Sequence, residues 1–220
     1  MRAAALALAL GGCIPAVPFV VGETAETLKA REVSAAVYGG GGAFTGSTGS
    51  SGGGCCGGVM GRVRVGVGRS QEVGAEGGVY LSGGPGNGSV WGTAKLAWKL
   101  QLNEHYAVVG GVGTTFIGGT VGLGGDAGVI ASTSPWRESI SLYAGLRATM
   151  MIDTGGAISD GGGVLSGGIS YALPRHLRVA LELGAIGGGA HNRQTGSVIP
   201  ENSGWFGGYG AALVSYAWRR

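Results

Sequence analysis

Residues 139–151 read SISLYAGLRATMM. Ile140, Leu142, Ala144, Leu146, Ala148 and Met150 fall on one side of a period of two, while Ser141, Tyr143, Gly145, Arg147 and Thr149 fall on the other. At 180° per residue this spacing predicts a strand with one apolar face and one face that carries an arginine.

The same design recurs along the chain. Val59–Gly68 sets Gly61, Val63, Val65 and Val67 against Arg62 and Arg64, and Val73–Ser82 sets Val73, Ala75, Val79 and Leu81 against Glu76 and Tyr80. Val90–Leu100 opposes Ala94, Leu96 and Trp98 to Lys95 and Lys99, and Thr120–Ala131 opposes Val121, Leu123, Ala127 and Val129 to Asp126. Val164–Leu173 sets Leu165, Ile169 and Tyr171 against Ser166 and Ser170, and Leu177–Ala185 sets Val179, Leu181 and Leu183 against Arg178 and Glu182. Glu32–Phe44 and Phe206–Trp218 open and close the series, and His105–Ile117 is apolar on both sides, which leaves its facing open. The expected count is ten strands, or eight if the first strand or the Gly-rich middle pair fails.

Composition narrows the class. The 220 residues suit one domain, charged residues are only 12%, and Gly supplies 51 positions. Disorder would need a polar chain, yet 44% of residues are hydrophobic. Collagen would need Gly at every third position. A sheet protein with Gly in turns and small inner positions remains. Tyr106–Gly125 is uncharged and long enough to cross a bilayer as a helix, but its eight glycines each cost about 1 kcal/mol there relative to Ala. A net charge of +3 with mixed signs gives no basic block for nucleic acid.

A soluble sandwich also alternates. Against it stand expected strands of about 10–13 residues, longer than the usual five or six but matched to a tilted membrane span. Aromatics gather near strand ends (Trp91, Trp98, Tyr106, Phe116, Tyr171, Trp205, Phe206, Tyr216 and Trp218), the arrangement of an interfacial girdle. Hydrocarbon offers no partners to free backbone groups, so a sheet that spans it must close on itself. The expected fold is therefore all-β, an antiparallel up-and-down transmembrane β-barrel. The connections expected at one end, Arg69–Glu72, Gln101–Glu104, Ser132–Glu138 and Pro174–His176, are short. Those at the other, Thr45–Gly57, Gly83–Ser89, Ile152–Gly162 and His191–Gly204, are longer and rich in Gly and Ser, as in barrels with short periplasmic turns.

At the N-terminus, Met1-Arg2 and the apolar run Ala3–Leu10 have the form of a compressed secretory signal. Leu10-Gly11-Gly12-Cys13 resembles the lipobox of bacterial lipoproteins. That resemblance implies cleavage after residue 12, lipidation of Cys13 and, because Ile14 rather than Asp follows, sorting to the outer membrane. The expected divisions are a signal peptide over 1–12, a lipidated periplasmic tether over 13–30 with a helical turn within Glu23–Lys29, and the barrel over 31–220. As a whole the sequence resembles small bacterial outer-membrane β-barrels, at the level of pattern. By the same resemblance Trp218 fits the terminal aromatic strand used in outer-membrane assembly, with Arg219 and Arg220 extending past it.

The alternation points Arg62, Arg64, Lys95, Lys99, Arg147 and Arg178 into the lumen with Glu76, Asp126 and Glu182. This is a paired plug with a cationic excess. Ten strands about 4.8 Å apart and tilted near 40° give a backbone radius of roughly 10 Å, which Arg and Tyr side chains nearly fill. The resulting expectation is a non-catalytic envelope barrel with a structural, adhesive or complex-anchoring role. If glycines such as Gly66, Gly68, Gly78, Gly145 and Gly184 leave a path, a narrow anion-preferring pore is the alternative. A barrel-rim hydrolase is a third reading, with His191 and Asp153 or Asp160 as its candidates, although no spacing marks them as a set.

Cys55 and Cys56 are expected in the first long loop. Oxidising conditions there favour a vicinal or intermolecular disulfide over a metal site, although neighbouring Cα atoms only about 3.8 Å apart would strain a vicinal bridge. No cofactor or metal is expected. The expected partners are outer-membrane lipid and other envelope proteins reached through the loops or the tether.

Overall fold

Ten antiparallel strands close on themselves in chain order, each paired with its sequence neighbours and the first with the last. The computed structural model describes residues 23–46, 54–84, 87–117, 120–137, 139–153, 158–192 and 202–219, without the side chains at several strand ends, those of Cys55, Cys56, Asp153 and His191 among them. The strands are β1 (Glu32–Gly46), β2 (Gly54–Gly66), β3 (Gln71–Gly84), β4 (Asn87–Gln101) and β5 (Tyr106–Ile117), followed by β6 (Thr120–Arg137), β7 (Ile140–Asp153), β8 (Ile158–Leu173), β9 (Leu177–Asn192) and β10 (Asn202–Arg219). Among the described residues there is no helix. Ten strands, rather than eight, form the wall.

The period of two sets the facing throughout. On β7, Leu146 is 57% exposed on the outer wall and Arg147, the next residue, is 3% exposed in the lumen. Val63, Leu96, Leu123, Leu165 and Leu181 share the outer surface. The facing of β5 is now settled: Val112 and Phe116 point outward, and Ala107, Val109 and Thr115 inward.

Three expectations need correction. First, the strands outrun the stretches of clear alternation. β2 starts at Gly54, β8 at Ile158 and β10 at Asn202, and β9 runs to Asn192. Cys55 and Cys56 therefore lie within β2, in register with Ala43 and Gly42 of β1, rather than in a loop; the proposed bridge lies outside the described side chains. Glycine and serine read as loop because strands are depleted in Gly. In a closed sheet, however, every strand has two neighbours, and the backbone ladder continues whatever the side chain.

Second, the contrast between short and long connections is weaker than expected. β3 and β4 are separated only by 85–86, and β7 and β8 by 154–157, while β6 continues to Arg137 through a register shift after Thr133. Third, Trp91 and Trp205 leave the girdle. They are 3% and 6% exposed and point inward, whereas Trp98, Tyr106, Phe116, Tyr171, Phe206 and Tyr216 are exposed on the outer wall.

The glycines explain how a narrow lumen accommodates large rings. Gly184 is the register partner of Tyr209, and a Cβ on it would lie 2.4 Å from that ring. Gly58 faces Tyr80 in the same way, with 2.5 Å to the ring. Each ring lies flat over a glycine on the next strand, the cross-strand device by which aromatics cover bare backbone. Gly78 is covered by Met60 and Gly66 by the carbonyls of Leu28 and Lys29. Gly66, Gly78 and Gly184 are therefore seats for neighbouring groups, whereas Gly68 lies past the end of β2 and a Cβ there would meet nothing within 4 Å.

Candidate functional site

The lumen contains a group that the strands do not supply. Glu23, Thr24 and Ala25 precede β1, yet all three are buried inside the barrel. Residues 23–29 are not helical. The chain leaves the lumen at Arg31, which adopts a left-handed φ of 66° while its N–H donates to the Gly66 carbonyl at 3.0 Å, and β1 begins at the next residue.

The carboxylate of Glu23 completes a closed ring of alternating charge. Arg64 holds Glu23 and donates to Glu76 at 2.6 Å; Lys95 lies 3.3 Å from both Glu76 and Asp126. Arg147 pairs with Asp126 at 3.0 Å and returns to Glu23 at 3.4 Å. Arg62 adds a contact to Glu23 at 3.1 Å, and Glu72 joins Arg64 at 2.7 Å and Lys99 at 3.1 Å. The strands β2, β3, β4, β6 and β7 each place an ionic residue on the inner face, so the ring is a direct consequence of alternation and register. Burial alone would push the Glu23 carboxyl up. The guanidinium groups of Arg64, Arg147 and Arg62, with Lys99, outweigh it and hold Glu23 well below the usual carboxylate range.

Side chains of the wall also bind the backbone of the inserted segment. Ala25 N–H donates to Ser132 Oγ at 2.8 Å, Thr27 N–H to Gln101 Oε1 at 3.1 Å and Leu28 N–H to Glu72 Oε2 at 3.0 Å. Lys99 Nζ donates to the Thr24 and Glu26 carbonyls at 3.2 and 2.8 Å. A peptide taken out of water is stable only where its polar groups find such partners. Beside the segment, a cavity of about 330 Å³ bordered by Glu23, Arg62, Arg64, Lys99 and Arg178 lies at the end of the barrel where β1 begins and β10 ends.

All nine lumen charges read from the sequence lie on the inner wall, but they do not form one set. Arg62, Arg64, Glu76, Lys95, Lys99, Asp126 and Arg147 belong to the network. Arg178 sits at the rim, partly exposed, 3.5 Å from Glu26 and 3.2 Å from Thr24 Oγ1. Glu182 stands apart and accepts the Tyr209 hydroxyl at 2.7 Å. Glu23 and Glu72 escaped the sequence reading because one precedes the barrel and the other looked like a turn residue. One signal of them was present: the surplus of cations in the expected lumen lacked its carboxylates.

Beside the charges the lumen is lined mainly by large apolar and aromatic side chains, with Glu182 and Asp160 also buried in the inner wall. Tyr38, Met60, Tyr80, Trp91, Val164, Ile186, Trp205, Tyr209 and Leu213 belong to one buried cluster. Tyr80 and Trp91 stack at 4.2 Å with 13° between their planes. Of the hydrolase candidates, Asp160 is buried in the inner wall of β8 and pairs in register with Ala190, while His191 pairs with Ser159. The two stand at register positions of opposite parity. Asp153 ends β7, with its side chain outside the described set.

No family model matches the chain, and no curated protein matches it. Solved structures do. An outer-membrane channel from Pseudomonas putida F1 aligns over 91% of this chain and 100% of its own, at 12% identity and a TM-score of 0.52. The outer-membrane protease OmpT of Escherichia coli aligns over 89% of this chain and 100% of its own at 10% identity, with a TM-score of 0.44. The translocator domain of the autotransporter NalP from Neisseria meningitidis aligns over 98% and 97% at 13% identity, with a TM-score of 0.48. The first of these likenesses establishes the fold: the chain is an outer-membrane-type β-barrel.

Proposed function

We propose that this chain is a non-catalytic barrel of the bacterial outer membrane, serving as a structural, adhesive or complex-anchoring element with a closed lumen. One observation carries the reading. Glu23 of the chain's own N-terminal segment completes a buried ring of ion pairs across the lumen, and aromatic side chains fill the space above it. Residues that line a water-filled conduit would be exposed to it, whereas Arg64, Lys95, Arg147, Tyr80 and Trp91 are all buried. A continuous outer face of Val, Leu, Met and Ile with exposed aromatics supports contact with lipid. We propose further that Cys13 carries the lipid anchor implied by the lipobox, and that other envelope proteins are met through the loops.

Electrical recording on the purified protein in planar bilayers tests the closed lumen. The expected result is a silent membrane at protein concentrations that give steady steps with an open porin. Reproducible single-channel steps would replace this reading with that of a narrow pore. Unchanged activity of His191→Ala against peptide and lipid esters, or no activity in either form, is the matching expectation for the absence of catalysis.

A further inference from the structure

We infer that the gap between Arg64 and Arg147 is a carboxylate-binding site, that Glu23 is its intramolecular occupant, and that a small monocarboxylate entering from the end of the barrel where β1 begins can take its place. The inference rests on the closed-lumen reading and extends it from a plug to a receptor. Without Glu23 the ring of charge becomes an open chain: Arg64–Glu76–Lys95–Asp126–Arg147, with a guanidinium at each end. Both ends face the position of the two Glu23 oxygens, Arg64 approaching Oε1 and Arg147 approaching Oε2, and Arg62 also reaches Oε1 at 3.1 Å. Planar guanidinium groups converging on two oxygens are suited to carboxylate recognition. Because these cations are fixed by the wall strands and their acidic partners, the site persists when its occupant leaves. A binding element is thus preorganised beside an open cavity.

The approach is the cavity of about 330 Å³ next to Glu23, within the range of small-molecule sites. The occupant is held on a removable piece of chain: residues 23–29 take part in no strand, and hydrogen bonds from their N–H groups to Ser132, Gln101 and Glu72 anchor them. Beyond the ring, the stacked Tyr80 and Trp91 and the buried Trp205 make the site a blind pocket rather than a channel.

Chemical rescue tests the site in the full-length, micelle-folded protein. Glu23→Ala should lower the apparent melting temperature, read from the heat-modified shift on gels. Acetate or formate should raise it again, rising with the logarithm of concentration once the site fills, and by more than in wild type, where Glu23 competes for the site, while chloride at equal ionic strength should not. Equal shifts with chloride, or an equal acetate shift in wild type, would overturn the proposal.

If Glu23→Ala does not fold, hydrogen–deuterium exchange of the wild type decides. Acetate should speed exchange at Ala25, Thr27 and Leu28 without changing the strand amides, and exchange at these three positions indifferent to acetate would overturn the site. Conductance separates the two readings. Rescued Glu23→Ala that stays silent in bilayers supports both, whereas rescued protein that conducts retains the site and ends the closed-lumen reading.

Discussion

The two storeys of the lumen hold together by opposite physics. Toward the end where β1 begins and β10 ends, Arg64, Lys95, Lys99 and Arg147 are locked to Glu23, Glu72, Glu76 and Asp126. Toward the loops, Tyr80 stacks on Trp91, and Ile186 and Trp205 belong to the same buried cluster. In the ionic storey each side chain depends on its partners, because a buried charge left alone is far costlier than the pair is favourable. In the apolar storey the loss of one group costs only its own contacts and the void it leaves. An extramembrane peptide can therefore belong to the first storey, where it supplies a missing charge, while the second is complete from the wall alone.

The largest effect is expected from Arg64→Leu, which takes one cation from three buried carboxylates at once, Glu23, Glu72 and Glu76, and leaves each with its remaining partners. It should destabilise the barrel by about 3–5 kcal/mol, read as a lower urea midpoint in micelles. A change of under about 1 kcal/mol, typical of exposed pairs, would mean that water reaches the network. Tyr80→Ala should cost about 3 kcal/mol through the lost ring and the void over Gly58. Adding its effect to that of Arg64→Leu should be nearly additive if the storeys are independent, and a strong coupling would merge them. Gly184→Ala, which drives a methyl into the Tyr209 ring, should cost about 1–3 kcal/mol. Indifference there would place the ring elsewhere.

Acid separates the storeys more gently. The Glu23 carboxyl is depressed in the folded barrel, so its stabilisation is complete above the ordinary value of about 4.3. It fades as pH falls below that and is gone only beneath the depressed value. The stability gap between wild type and Glu23→Gln should therefore be flat near neutrality and shrink in acid by no more than about 1.4 kcal/mol per pH unit. A gap that closes already near neutral pH would contradict the ion ring. The smallest effect is expected at the rim, where Arg178→Ala loses a partly exposed contact to Glu26 and a hydrogen bond to Thr24 Oγ1, about 1 kcal/mol in the same urea titration.

Much of the fold was legible because its rule is local. Arg147 between Leu146 and Ala148 is enough to orient β7, and the same parity orients β2, β3 and β4. What escaped was non-local. No pattern around Glu23 signals that it will sit between Arg64 and Arg147, since residues 23–29 follow no strand period. Trp91 and Trp205 look like girdle residues by chain position, and only parity along their own strands separates them from Trp98. The glycines were read as spare room because the ring covering each one comes from the neighbouring strand. The same gap in local information hid the strand character of Gly54–Gly57, where pairing with β1 and β3 extends a ladder that composition alone denies.

The most direct measurement is a spin-label scan of residues 140–150 in lipid, on a background with Cys13, Cys55 and Cys56 replaced by Ser. Oxygen, which partitions into lipid, should broaden labels at the even positions, Leu142, Leu146 and Met150 among them, and leave the odd positions protected, with Tyr143 and Gly145 unresponsive. Accessibility without a period of two, or the greatest oxygen contact at the odd positions, would contradict a wall that turns its charges inward.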